Sequence, residues 1–442
     1  MKIQLSDHFS YGRMIVFVIP SIVMSLFTSV YSIVDGFFIS NFVGITEFAA
    51  VNLVMPVLFI LGIVGYMFGA GGSALIAKTL GEGDRDRANR LFSLFVLLSF
   101  VVALVMTILG FAFMPQVVSL LGAEGALHEY GTLYGRILIT SLPLWILLYE
   151  FQLLFVTAEK PRLGLLVTVI AGLLNIALDA LFILVFDWEL AGAALASAIS
   201  QGLGGLFPIV YFSCRNSSLL RFTYPRWDGV AVKRCVFNGS SEFMSGVAMS
   251  ILSIVYNLQL LHYVGSSGVA VYGVLMYVGM IFSAIFIGFA EGIGPVFSFH
   301  YGAENHGELR NLRMRSLRIV VVCSVTMFLL CELMAYPVSF LFMGSVPELL
   351  SMTTHAFRIY AVSYLFMGTA IFGTALFTAL NNGGVSALIA VLRTWVFELG
   401  AVFLLPLFMG IDGIWSSIVV AELMAATCAI VFMVAFRKKY QY

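Results

Sequence analysis

Twelve separate runs of about 20 or more mostly apolar residues divide this chain, and no other feature restricts its fold so severely. They lie near 14–40, 49–77, 91–112, 133–157, 163–186, 190–213, 237–263, 271–299, 314–338, 354–379, 385–409 and 411–436. Each is long enough to cross a hydrocarbon layer as an α-helix, the one open structure that satisfies its own backbone there. The alternating pattern of barrel strands is missing. The expected class is therefore an all-α membrane protein with 12 transmembrane helices. Composition agrees: 61% of the 442 residues are hydrophobic and 10% charged, too little polar surface to coat a water-soluble globule. The first run carries Asp35 and no small-residue cleavage site follows it, so it reads as a retained helix rather than a signal peptide.

The basic residues set the expected orientation. Assigned to alternate sides of successive runs, 20 of the 23 Lys and Arg fall on the side that holds both termini. Only Arg136 and Arg358 fall on the other, and Arg393 lies inside a run. The positive-inside rule places both termini in the cytoplasm, with the chain in the cell (inner or plasma) membrane.

The chain is also a duplication. Shifted by 221 residues, 32–84 matches 253–305 at 12 of 53 positions without a gap, including Val43-Gly44 on Val264-Gly265, Gly71 on Gly292 and Gly81 on Gly302. With a shift of 222, Arg136 falls on Arg358 and Phe155 on Phe377. Six runs per repeat, an even number, keep the halves parallel, as two pseudo-symmetric six-helix bundles about an axis along the membrane normal. The expected division is a first lobe at 1–213, a polar, basic cytoplasmic linker at 214–236 and a second lobe at 237–442. Paired lobes around a central cavity suit alternating access by rocking.

A charge at bilayer depth costs at least about 2.5–3.5 kcal/mol on insertion scales, so each intramembrane ionisable group needs a reason. Asp35 lies near the outer end of the first run, and Asn175 and Asp179 lie one turn apart on one face of the fifth. Ser197 falls in the outer half of the sixth. These four are expected at similar depth as an oxygen-rich cation-coupling cluster. It suits Na⁺, for which all four would be metal ligands, or a proton, because two adjacent acids in a low dielectric share one charge more readily than they hold two. The plainer alternative is that Asn175 and Asp179 only hydrogen-bond helices together. In the repeat Asp35 meets Tyr256, Asn175 meets Phe397 and Asp179 meets Ala401, so the second lobe is expected to lack the cluster.

Glu291, in the Gly- and Pro-loosened stretch Gly288–Pro295, is a candidate substrate contact, with Tyr256, Asn257 and Glu150. Glu150, Glu242 and Glu422 also read as satisfied structural acids, and Arg393 is expected to pair with a neighbouring span rather than with Glu398. Five scattered cysteines without a CxxC pair read as inert thiols. Gly69–Gly72 lacks the Lys-Ser/Thr of a phosphate loop, and no catalytic triad or metal-spaced His/Cys set is present, so neither an enzyme nor a cofactor is expected. A formal net charge of zero points away from nucleic acid.

The run Leu174-Asn-Ile-Ala-Leu-Asp-Ala-Leu-Phe-Ile183, followed by Ala191-Gly-Ala-Ala-Leu-Ala-Ser197, resembles the span 5–6 signature of the multidrug and toxic compound extrusion (MATE) family. Ser32–Ile39 resembles its span 1, and Gly292-Ile-Gly-Pro295 with Tyr301-Gly-Ala303 its span 8 exit. The resemblance implies a V-shaped pair of six-helix bundles that exports organic cations and other drug-like molecules by H⁺ or Na⁺ antiport. It also implies the branch with a span 1 aspartate, whose cation site maps onto Asp35, Asn175 and Asp179, with Ser197 in place of a threonine. Glu291 stands where related sequences tend to carry Gln, which favours cationic substrates. Glu242 is too early in its run to match the branch that uses a span 7 acid. Membrane lipid is the other expected partner, and the chain is expected to act as a monomer. A flippase for lipid-linked saccharides is the alternative within the wider superfamily, disfavoured because Arg393 is nearly alone in the membrane. A non-transporting membrane enzyme or scaffold is the alternative from another class.

Overall fold

The computed structural model describes residues 3–344 and 346–442, apart from the side chains of Ser32 and Ile45. Lys2, one of the basic residues counted above, and the Ser32 side chain of the first motif lie outside the described residues. The described chain is helical, and no strand occurs in it.

Eleven single helices and one bent pair are long and apolar enough to cross a membrane. In chain order they are α1 (Tyr11–Val43), α2 (Thr46–Gly81), α3 (Arg85–Leu120), α4 (Gly125–Thr157), α5 (Pro161–Val185), α6 (Glu189–Ser213), α7 (Gly229–Val264), α8 (Ser266–Gly302) and α9 (His306–Met343). The last three are α10 (Pro347–Ala361 with Tyr364–Ala379, bent by 45°), α11 (Gly383–Met409) and α12 (Ile411–Ala435). The twelve expected crossings are all present, in two halves of six.

Several helices reach past their apolar runs into the basic side. A hydropathy pattern registers only the lipid-facing stretch, whereas helical hydrogen bonding continues until a cap ends it. Asp228 caps α7 by accepting from Ala231 N at 3.0 Å, so the connection between halves runs from 214 to 228. Residues 229–236, expected in the linker, form the first turns of α7.

The duplication recurs in backbone detail. Asp84 caps α3 and Asn305, 221 residues on, caps α9. Just before them Gly83 and Glu304 both take left-handed backbone, with φ of 85° and 53°. Glu159 and Asn381, 222 apart, do the same at 58° and 56°. Such residues close the preceding helix at each corresponding turn, Glu159 and the two others without the steric freedom of Gly83.

The halves meet where their backbones come closest. A Cβ on Gly71 of α2 would collide with the Cys235 carbonyl of α7, and one on Gly239 of α7 with the Met67 carbonyl of α2. The counterpart crossing joins α8 to α1, where a Cβ on Gly288 would stand 2.6 Å from Ile22 Cα. The segment before α1 and the N-terminal part of α1 pack into the second half: Leu5, Phe9, Met14 and Phe17 share one buried cluster with Phe297, Leu312, Phe372 and Tyr440. The segment before α1 is bonded to both halves, through Leu5 N to Glu159 Oε1 (2.8 Å) and Phe9 N to Glu308 Oε1 (2.9 Å).

Candidate functional site

The C-terminal half of α1 brings Asp35 against α5 and α6. Asn175 and Asp179 lie one turn apart on α5, 2% and 0% exposed, and Asn175 Nδ2 donates to Ser197 Oγ of α6 at 3.2 Å. The Asp35 carboxyl interacts with both Asp179 and Ser197. All four residues expected at similar depth therefore meet. Both acid-bearing helices change pitch beside the site: α1 takes wide π turns over Ile39–Val43, and α5 does so over Ala180–Val185, directly after Asp179. A π turn rotates the helix face and frees backbone groups, and such turns recur at functional sites.

The electrostatics are unbalanced. Asp35 Oδ1, Asn175 Oδ1 and both Asp179 oxygens are buried with no donor among the described residues. Buried carboxylates without partners are costly, and a bound cation or proton removes that cost. Two carboxylates, an amide oxygen and a hydroxyl are hard donors that fit Na⁺, and the same acids fit a proton equally well.

The remaining expected contacts separate. Glu291 is half-buried on α8 beside Ser25 of α1 and Glu242 of α7, and Tyr66 of α2 faces it, so it lies at the boundary between halves. Glu242 is not at the start of its helix: thirteen residues of α7 precede it, about 20 Å at ~1.5 Å per residue. Tyr256 is buried, stacked on Tyr272 at 5.0 Å, and its hydroxyl donates to Glu398 Oε1 at 3.4 Å. Asn257 is half-buried one residue further on, rotated by about 100° from that face. Glu150, the remaining expected substrate contact, is fully buried, accepts from Ser99 Oγ of α3, and its backbone packs against Gly69 inside the first half.

The second half carries a polar cluster that the repeat alignment missed. Arg393 Nε and Nη2 grip the Glu422 carboxylate at 2.5–3.1 Å, and Glu398 interacts with both. Residue-for-residue alignment compares Asp179 with Ala401, so it carries no signal for a charged cluster of different composition at other positions of this lobe. The π turns over Leu392–Glu398 displace side chains along α11, so charges meet from positions that do not align. The signals in the sequence were Arg393, Glu398 and Glu422 themselves, three ionisable residues inside the last two apolar runs.

A duplicated membrane protein of twelve apolar spans in two six-helix halves, with unpartnered acids inside one of them, has the architecture of a membrane transport fold. The chain belongs to the MatE family, whose model matches residues 20–181 and 243–404. It is 25% identical over 434 residues to "Multidrug export protein MepA" of Staphylococcus haemolyticus (strain JCSC1435), covering 97% of this chain and 94% of that one. MepA of Staphylococcus aureus (strain MSSA476) is 24% identical over 437 residues, with the same coverage. In fold the chain is similar to a MATE crystal structure in complex with MaL6, with a TM-score of 0.93, 22% identity and 98% of each chain covered. It is also similar to an outward-facing multidrug resistance MATE transporter of the MOP superfamily, with a TM-score of 0.92, 21% identity and 98% and 97% coverage.

Proposed function

We propose that this chain is a secondary multidrug exporter of the plasma membrane, driven by inward movement of H⁺ or Na⁺ through the site at Asp35, Asn175, Asp179 and Ser197. The observation that carries the reading is the set of four buried oxygens there that lack a donor. Cation binding neutralises the site and lets α1 and α5 repack, which biases the lobes between outward-open and inward-open states. An empty site is charged and favours access to water on the outer side. The presence of an aspartate in the first helix supports assignment to the branch that couples through it.

Glu291, facing Glu242 beside Tyr66, supports export of organic cations with apolar bodies through the boundary between the lobes. One charge crossing 100 mV supplies ~2.3 kcal/mol, so a single coupled cation sustains roughly a fiftyfold gradient at ~1.4 kcal/mol per tenfold. The curated relatives bear the name of multidrug exporters, which supports drug-like substrates over lipid-linked saccharides. The basic residues gathered on one side support cytoplasmic termini, and one chain supplies both lobes, which supports a monomer.

The test is ethidium accumulation in cells. Expression lowers it, and either a protonophore or sodium removal restores it, which names the ion. Asp35→Asn and Asp179→Asn behave like empty vector. Normal extrusion by both variants overturns the assignment.

A further inference from the structure

The two lobes solve one electrostatic problem in different ways. In the first, Asp35 of α1 and Asp179 of α5 approach each other with no basic side chain between them among the described residues. The second lobe also has two carboxylates, one on the counterpart of α5 and one on the counterpart of α6. Glu398 lies on α11, the counterpart of α5, and is bonded by Tyr256 of α7, the residue that aligns with Asp35. Glu422 lies on α12 and aligns with Ser200 of α6, whose hydroxyl bonds the Ser197 carbonyl. Between them stands Arg393, in bidentate contact with Glu422 and in electrostatic contact with Glu398. Its side chain is 19% exposed and that of Glu422 only 2%. Glu242 of α7 and Tyr360 of α10 also face the guanidinium.

We propose that Arg393 is a tethered cation, holding in the second lobe the place that the coupling ion takes in the first. The inference rests on the ion-site reading above. A guanidinium stays protonated at any working pH and presents its donors in a planar fork, so it neutralises a carboxylate pair permanently. The second lobe is thereby loaded at all times, and only the first exchanges an ion with solvent. A single duplicated ancestor thus yields one coupling site rather than two. Removing the tethered charge should expose a second, latent cation site at Glu398 and Glu422.

The experiment uses the full chain purified in detergent, with thermal unfolding followed across separate pH and NaCl series. The Trp395 indole, between Arg393 and Glu398 and bonded to the Met244 carbonyl at 3.2 Å, offers a local fluorescence reading checked by Trp395→Phe. Wild type should show a cation-dependent rise in midpoint that Asp35→Asn abolishes. Arg393→Gln in the Asp35→Asn background should regain one, lost again on adding Glu398→Gln. Arg393→Lys, which keeps a tethered charge, should match wild type. The inference is overturned if Arg393→Gln in that background stays indifferent to both cations, or if Arg393→Lys gains a new response. A wild-type response untouched by Asp35→Asn overturns the ion-site reading instead, and the two failures are read from different variants.

Discussion

Gly81 and Gly302 lock the two halves together at one end of the molecule. They stand 221 residues apart, and each is pressed against the other half: a Cβ on Gly81 would collide with the Phe299 carbonyl, and one on Gly302 with the Lys78 carbonyl. Lys78 and Phe299 are themselves 221 apart, so the contact is a two-fold one at the ends of α2 and α8. Backbone atoms on both sides leave no flexible side chain to yield.

Gly81→Ala is therefore expected to destabilise this closed end by about 1–3 kcal/mol, the usual cost of overpacking. Thermal unfolding in detergent measures it. Gly294→Ala on α8, where a Cβ meets nothing within 4 Å, is the control and should leave the midpoint unchanged. Equal midpoints for the two variants would show that the crossing is looser than its geometry.

Glu422→Ala leaves the Arg393 guanidinium buried without its bidentate partner, a loss of about 3–5 kcal/mol for a broken buried pair. Replacing both residues by Met removes the stranded charge and should recover most of that stability. A double replacement as damaging as Glu422→Ala would show that packing, not charge, holds α11 to α12.

Glu150→Gln preserves shape and still accepts from Ser99, so ethidium extrusion should stay within about twofold of wild type for this sequestered acid. Asp179→Asn should abolish it. The contrast between two fully buried acids in one lobe separates a structural carboxyl from a coupling one, and loss of export in both would erase the distinction.

The segment before α1 depends on Glu308, which accepts from Phe9 N at 2.9 Å and Asn311 Nδ2 at 2.8 Å and contacts His8 Nδ1 at 2.6 Å. Glu308→Ala should speed hydrogen exchange at the Phe9 amide roughly tenfold or more, since a bond to a charged acceptor is worth about 1.5–3 kcal/mol. Opening this end of the molecule requires the segment to leave one half, so the same variant should raise labelling of a cysteine placed at Leu5. Unchanged exchange would mean that the apolar burial of Leu5 and Phe9 suffices.

Membrane insertion depends on local, additive quantities, which is why so much was legible in one dimension. Run length and polarity determined the number of crossings, the even count per repeat determined that the halves are parallel, and the four-residue spacing of Asn175 and Asp179 determined that they share a face. Which side chains meet across helices is a different kind of quantity. It depends on each helix's rotation and on where its pitch changes, and hydropathy records neither. The π turns over Leu392–Glu398 gave the second lobe a charged cluster invisible to the repeat alignment. The rotation of α4 buried Glu150 in its own bundle, and the capped start of α7 moved Glu242 from a helix end to a place opposite Glu291. The sequence by itself determined a duplicated bundle with costly charges in its bilayer-crossing helices. Only the tertiary structure decided which of those charges are paired, and that four oxygens of the Asp35 cluster are left without a partner among the described residues, because pairing is a matter of angstroms between helices far apart in the chain.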